Sequence, residues 1–203
     1  MALTTVLPET FTRAVAALRA AQARDEIALE EVPAPSRLAP YAFALGATVL
    51  RRGEEVTTGR LILLHDPAGH EAWEGDTRLV TYVTAELEPE LATDPLLPQV
   101  GWSWLVDALD AHSSGYAAIG GTVTQTISSR FGALAADGPP TTDLELRASW
   151  TPLDLHLEGH VAAWCALLAS TAGLPPVGVS ALPCGAATTA DRLRMTEAPA
   201  WPR

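Results

Sequence analysis

From Tyr41 to Leu50 the side chains alternate strictly by size. Tyr41, Phe43, Leu45, Ala47 and Val49 fall on one side of an extended chain, and Ala42, Ala44, Gly46 and Thr48 on the other. A period of two is the signature of a strand, because successive Cβ atoms point to opposite faces of a sheet. The large side can fill a core. The small side would let a helix or another backbone approach closely.

The flanking segments extend this reading. Arg60 to Leu64 is almost wholly aliphatic, and Thr77 to Leu87 reads as a third strand, with RRGEEVTTG as a polar hairpin connection around Gly53. In GTVTQTISSRF, Val123, Ile127 and Phe131 alternate with Thr, Ser and Arg; in DLELRASW, Leu144, Leu146, Ala148 and Trp150 alternate with Glu145, Arg147 and Ser149. Such one-sided polarity means that one sheet face meets water. Ile27 to Val32 is a candidate short strand.

Helical periodicity occurs three times. Phe11, Val15 and Leu18 recur within an expected helix over 8–24. From 97 to 111, apolar residues sweep most of the circumference and leave only Gln99, Ser103, Asp107 and Asp110 as a polar stripe. A surface helix needs an apolar arc of little more than about 100°. This helix therefore buries two sides, with Trp104 in the core, and its second flank either packs centrally or meets another chain through Trp102 and Val106. A last helix runs from an N-cap at Asp154 to Thr171, lined by Leu157, Val161, Trp164 and Leu168, and stops at Gly173-Leu174-Pro175-Pro176. The expected fold is α+β: a mainly antiparallel sheet of about five strands with helices packed on one face. Residues 1–176 form one domain, and the Pro/Ala/Gly-rich stretch 177–203 is a peripheral or flexible tail.

Composition narrows the chemistry. The chain has no lysine and no asparagine; its net charge is −11, with all thirteen cationic side chains arginine. A Schiff-base lysine and a phosphate-loop lysine are thereby excluded. Strong acidity without a basic run argues against nucleic acid, whose binding rests on phosphate neutralisation, and against anionic membrane. No apolar run approaches ~20 residues, and the start MALTTVLPETF lacks a secretory pattern. Two cysteines, Cys165 and Cys184, make no disulfide framework or zinc spacing. A pairing between them is open but is not expected in a reducing compartment, and cytoplasm is the expected location.

Three clusters could carry chemistry. His65-Asp66-Pro67-Ala68-Gly69-His70-Glu71-Ala72-Trp73 gathers two imidazoles and two carboxylates at a strand end. His65, Asp66, His70 and Trp73 are the candidate ligand-binding residues, able in principle to hold a metal or move a proton. Against this, Asp-Pro-Ala-Gly is ordinary turn chemistry, with Asp66 bonded to its own backbone and Gly69 at positive φ, and the spacing fits no metal pattern, so a turn is the stronger expectation. His156 and His160 stand at i, i+4, which suits a metal, but the expectation is a solvated first helical turn. Glu86, Glu88 and Glu90 read as a solvated strand end. No catalytic residues, no metal set and no cofactor motif are discerned.

The segments RLAPYAFALGATV, GRLILLHDPAGHEAWEG, TRLVTYVTAELEPE, DPLLP and GWSWL, with RASWTP further on, closely resemble an uncharacterised actinobacterial family known as a domain of unknown function. The resemblance spans about residues 10–176. It implies a cytoplasmic bacterial protein and no particular activity. Two functional expectations stand together. One is a non-enzymatic interaction or regulatory protein acting through a protein–protein interface, its partner another protein or a second copy of itself, with no nucleic acid bound directly and no membrane. The other is a small-molecule- or metal-dependent protein using the His65–Trp73 loop.

Overall fold

The computed structural model describes residues 7–87, 94–137 and 140–176. Among these residues three α-helices, α1 (Glu9–Arg19), α2 (Leu97–His112) and α3 (Leu157–Thr171), accompany six strands. These are β1 (Ile27–Glu31), β2 (Tyr41–Arg51), β3 (Glu54–His70), β4 (Gly75–Leu87), β5 (Tyr116–Ser128) and β6 (Thr141–Pro152). They form one sheet in the order β1-β2-β3-β4-β6-β5, antiparallel at every pairing. The fold is α+β, and the candidate strand at Ile27 becomes the sixth.

The size alternation of β2 sets the sheet's orientation. Leu45, Ala47 and Val49 join Leu61, Leu63, Leu79, Val83, Leu146 and Trp150 in one core, which the apolar faces of all three helices close. The small side of β2 faces the other way. Among the described residues no helix lies on it; instead Val32, just past β1, packs over Gly46, where a Cβ would come within 2.9 Å of its Cγ1. Close helix approach occurs at Gly59 on β3, where a Cβ would lie 2.6 Å from Leu168 and 3.1 Å from Trp164. Thus α3 sits directly on the centre of the sheet.

Several boundaries differ from the expected ones. Helix α1 ends at Arg19 rather than 24, because no large apolar side chain follows Leu18 at helical spacing, and Arg24 is drawn off to Glu26 and the carbonyl of Pro175. The RRGEEVTTG connection shrinks to Arg52-Gly53, both at positive φ (56° and 86°), which lets Glu54–Gly59 pair with β2. Two successive positive φ values match the twist of a two-residue hairpin. Strand β3 also runs on past the expected strand end at Leu64 to His70, so its connection to β4 is a short 3-10 turn, Glu71–Trp73. The Asp-Pro-Ala-Gly turn survives as a bulge inside the strand: four residues, 66–69, oppose Asp76 alone, between the pairs His65–Thr77 and His70–Gly75.

Helix α2 is sandwiched between α3 and β5. Leu97, Gly101, Leu105, Ala108 and Leu109 are buried, while Trp104, expected in the core, is half-buried and bridges the main core and a small cluster of Ala85, Leu87, Leu97 and Leu144. Strand β5 starts earlier than expected, at Tyr116, and ends at Ser128, so Phe131 lies outside it and is exposed. Helix α3 begins after His156 instead of Asp154, whose carboxylate accepts the His156 N–H at 2.8 Å. Its end follows the expected stop: Gly173 has φ 65°, its N–H reaches Ser170 O at 3.1 Å, and Leu174 N–H reaches Ala169 O at 2.9 Å. Those are the two bonds of a Schellman motif. Residues 177–203, expected as a tail, lie outside the described residues, as do Glu88, Glu90 and Cys184.

Candidate functional site

The histidine-bearing segment at the end of β3 divides into two parts. His65 points to the helix side and is buried beside Phe11 and Tyr41, with ring centroids 6.2 Å away in each case. Its Nδ1 lies 3.1 Å from Thr77 Oγ1 and its Nε2 3.3 Å from Thr10 Oγ1. Thr77 gives its single hydroxyl proton to Asp76 Oδ1 at 2.8 Å. The hydroxyl oxygen must then accept from His65, which places the imidazole proton on Nδ1 and leaves Nε2 to accept from Thr10. A continuous chain of hydrogen bonds therefore runs Thr10–His65–Thr77–Asp76. Asp76 itself is half open to solvent.

The rest of the segment faces elsewhere. Asp66 turns back on its own backbone, accepting the Ala68 N–H at 3.0 Å, and Gly69 has φ 73°. His70 is exposed and stacks on Trp73 at 5.1 Å. The Trp73 carbonyl accepts a hydrogen bond from Thr151, which in turn accepts one from the buried Arg78 guanidinium at 3.1 Å. Arg78 also donates to Ser149 at 2.8 Å, and burial lowers its pKa. The structure thus brings His70 and Trp73 together and sets His65 apart from them. Among the described residues no three His, Cys, Asp or Glu side chains gather as a metal would require.

His160 departs most from its expectation. The first turn of α3 is not solvated there: His160 is fully buried, and Trp150 Nε1–H donates to its Nδ1 at 3.2 Å. Desolvation lowers its pKa to about 4, partly opposed by Asp154. His156 alone faces water. The cause is Gly159, where a Cβ would lie 2.3 Å from the His112 carbonyl oxygen, so the end of α2 presses onto this turn and seals it.

The side of the sheet turned away from α1, α2 and α3 carries a charged group. On it, Tyr82 donates to Glu145 at 2.8 Å, Glu145 pairs with Arg147 at 2.8 Å, and Arg147 lies over the Tyr82 ring at 5.3 Å. The Tyr82 hydroxyl and the Arg147 guanidinium both hold the Glu145 carboxyl below its usual range. Beside this trio, a depression of about 570 Å³ is lined by Val32, Gly46, Thr58, Arg60, Ile62 and Tyr82. The Arg60 guanidinium is exposed and has no partner among the described residues. Trp102 and Val106, the expected interface pair, are half-buried on α2, Trp102 against the chain's own core.

A family model described as "Protein of unknown function (DUF3000)" matches residues 7–180. The chain belongs to this family. The match takes in all six strands and all three helices. No curated protein and no solved structure matches.

Within this DUF3000 member, sequence reasoning missed Thr10, Thr77 and Asp76 as partners of His65, and Arg60, Tyr82, Glu145 and Arg147 as a surface group. Thr10 is 55 residues from His65, so no local spacing could mark it. The surface group left a signal: Arg60 opens an otherwise aliphatic run, and Glu145 and Arg147 share one face of β6. A further cleft of about 470 Å³ lies by α3, lined by Ile27, His112, Cys165, Ala166, Ala169 and Leu174. Burial pushes the Cys165 thiol up to about 11. At neutral pH that thiol is protonated and a poor nucleophile.

Proposed function

We propose that this protein is a non-enzymatic cytoplasmic interaction protein of an actinobacterial family, working through a protein–protein contact on the helix-free face of its sheet. One observation supports the reading above others: in a chain of net charge −11, that face presents the Arg60 guanidinium, without a partner among the described residues, beside Ile62 and Tyr82 on central strands. A guanidinium beside apolar and aromatic surface suits a protein segment carrying a carboxylate next to apolar side chains. Arg and Tyr are also enriched where binding energy concentrates. No helix among the described residues is long and apolar enough to cross a membrane.

The test is photo-crosslinking in the native host, with a benzophenone amino acid at position 62 and, as a control, at exposed position 12 in α1. A discrete protein adduct formed at 62, absent at 12 and lost with Arg60→Glu supports the reading. Adducts that are identical at both positions would overturn it.

A second reading rests on the Thr10–His65–Thr77–Asp76 chain, which fixes one imidazole with its Nε2 turned to a hydroxyl. Such an arrangement could serve a small-molecule- or metal-dependent activity at that end of the sheet. Calorimetric titration with zinc, manganese and nickel, on wild type and on His65→Ala/His70→Ala, tests the metal form. Stoichiometric binding lost in the double variant would favour it over the interaction reading.

A further inference from the structure

One row of residues crosses the sheet in register on the face turned away from the helices. From β1 through β2, β3 and β4 to β6 it reads Glu30, Gly46, Arg60, Tyr82, Arg147. Residues directly opposite one another on paired strands share a face. At one end of the row the charges are matched: Arg147 lies over the Tyr82 ring and pairs with Glu145. At the other end an acid and a cation face each other across a glycine. Glu30 and Arg60 are two strand spacings apart, about 10 Å between Cα atoms. Both are exposed, and neither has an ion pair or hydrogen bond among the described residues.

The side chain missing at Gly46 shapes the space between them. Glu30, Val32, Arg60, Ile62 and Tyr82 border the depression of about 570 Å³ that lies over this glycine. Glu30 leans into it, its Oε1 3.6 Å from the point where a Gly46 Cβ would stand. Val32 Cγ1 lies 2.9 Å from the same point, so the floor there is a valine methyl and a glycine backbone. The depression therefore has an apolar floor, an aromatic wall and one charge of each sign. Small-molecule sites have this composition, with apolar walls for contact and a few polar groups that fix orientation.

We infer that the depression binds a free α-amino acid with a large apolar side chain. Arg60 takes the carboxylate, which the planar guanidinium matches with two parallel hydrogen bonds. Glu30 takes the ammonium group. The side chain rests on Val32, Ile62 and Tyr82. Charge complementarity selects this class of ligand. A fatty acid would leave Glu30 unmatched, and an amine would leave Arg60 unmatched. A simple anion would also meet the repulsion of a −11 chain, whereas a zwitterion carries no net charge. Exposed ion pairs contribute little one at a time, so binding depends on both charges and the apolar contact together, and is weak. The site shares Arg60 with the protein contact proposed for this face but does not rest on that contact.

The test is ¹H–¹⁵N correlation spectroscopy on the full chain, titrated with L-leucine and L-phenylalanine. N-acetyl-L-leucine lacks the ammonium group and L-leucine amide lacks the carboxylate, and each is titrated in parallel. The expected result is saturable shifts centred on the amides of Gly46, Arg60, Ile62 and Tyr82 with at least one of the amino acids. Both blocked forms should bind about tenfold more weakly or worse, the effect of losing one charged hydrogen-bonding partner. Glu30→Gln and Arg60→Gln, each with an otherwise wild-type spectrum, should weaken the amino acid by a similar factor. No saturable shift with either amino acid at millimolar concentration overturns the inference. So do shifts centred elsewhere, a blocked form that binds as well as its parent, or variants that bind like wild type. The protein contact is read separately, by cross-linking at position 62 in the host, and either result can stand without the other.

Discussion

Trp150 and His160 are joined by a hydrogen bond inside the core: the indole N–H meets Nδ1 of the imidazole at 3.2 Å, with both side chains fully buried. The bond requires a neutral ring, since a protonated imidazole has no lone pair at Nδ1 to accept with. Its other nitrogen, Nε2, has no hydrogen-bond partner among the described residues.

Stability should therefore depend on pH through His160. Its folded pKa of about 4 lies below the ordinary 6.5, so the unfolded chain binds the proton more readily. The contribution is complete above pH 6.5 and is lost as pH falls towards 4, a loss of up to about 3 kcal/mol. The ion-paired Glu26, held near 2 by Arg24, titrates below that window. Urea denaturation between pH 7 and 4 checks the effect against His160→Gln, which keeps an acceptor for Trp150 but does not titrate. Equal pH slopes in the two proteins would refute it.

Gly159→Ala should destabilise the fold by about 1–3 kcal/mol, the range for overpacking a tight contact. The added Cβ would be 2.3 Å from the His112 carbonyl oxygen, and the backbone of α2 would have to move. The same change also raises helix propensity, by up to about 1 kcal/mol. A net gain in melting temperature would show that the helix contact is looser than the structure has it.

Among the tryptophans, Trp150→Ala and Trp164→Ala should each cost about 3–5 kcal/mol. Trp104→Ala should cost clearly less, because that ring is only half-buried between two clusters. Chemical denaturation of the three variants gives the order, and Trp104→Ala matching the other two would mean that α2 is buried more deeply.

The chain Thr10–His65–Thr77–Asp76 predicts that His65 holds its proton on Nδ1. Long-range ¹H–¹⁵N correlation of the imidazole reads the tautomer directly. Asp76→Ala frees the Thr77 proton to turn to the ring, and the Nε2–H form should then gain population. An Nε2–H tautomer already dominant in wild type would break the proposed order of donors.

Cys165, with its thiol pushed up to about 11 by burial, should resist Ellman's reagent at pH 8 in the folded protein. In a Cys184→Ser background, modification should follow the rate of global unfolding. Rapid labelling without unfolding would mean that the cleft beside α3 admits reagent to the sulfur.

The sequence by itself determined the local pattern. Alternation in β2 and β6 named the core-facing residues, because strand geometry forces i and i+2 onto one face. Leu157, Val161, Trp164 and Leu168 did the same for α3, and Gly173-Leu174-Pro175 marked its end, since each of those signals lies within a few residues of its effect. Tertiary structure decided what depends on distant contacts. Strand β3 reaches His70 because β4 is there to pair with it, and the Asp-Pro-Ala-Gly turn becomes a bulge rather than a loop. His160 is buried because α2, 47 residues earlier at His112, closes over Gly159, a contact that no spacing around His156 and His160 could announce. The place of β5 in the sheet, too, exists only once six strands have taken their order: a neutral, threonine-rich run stands last in line because β6 pairs between it and β4.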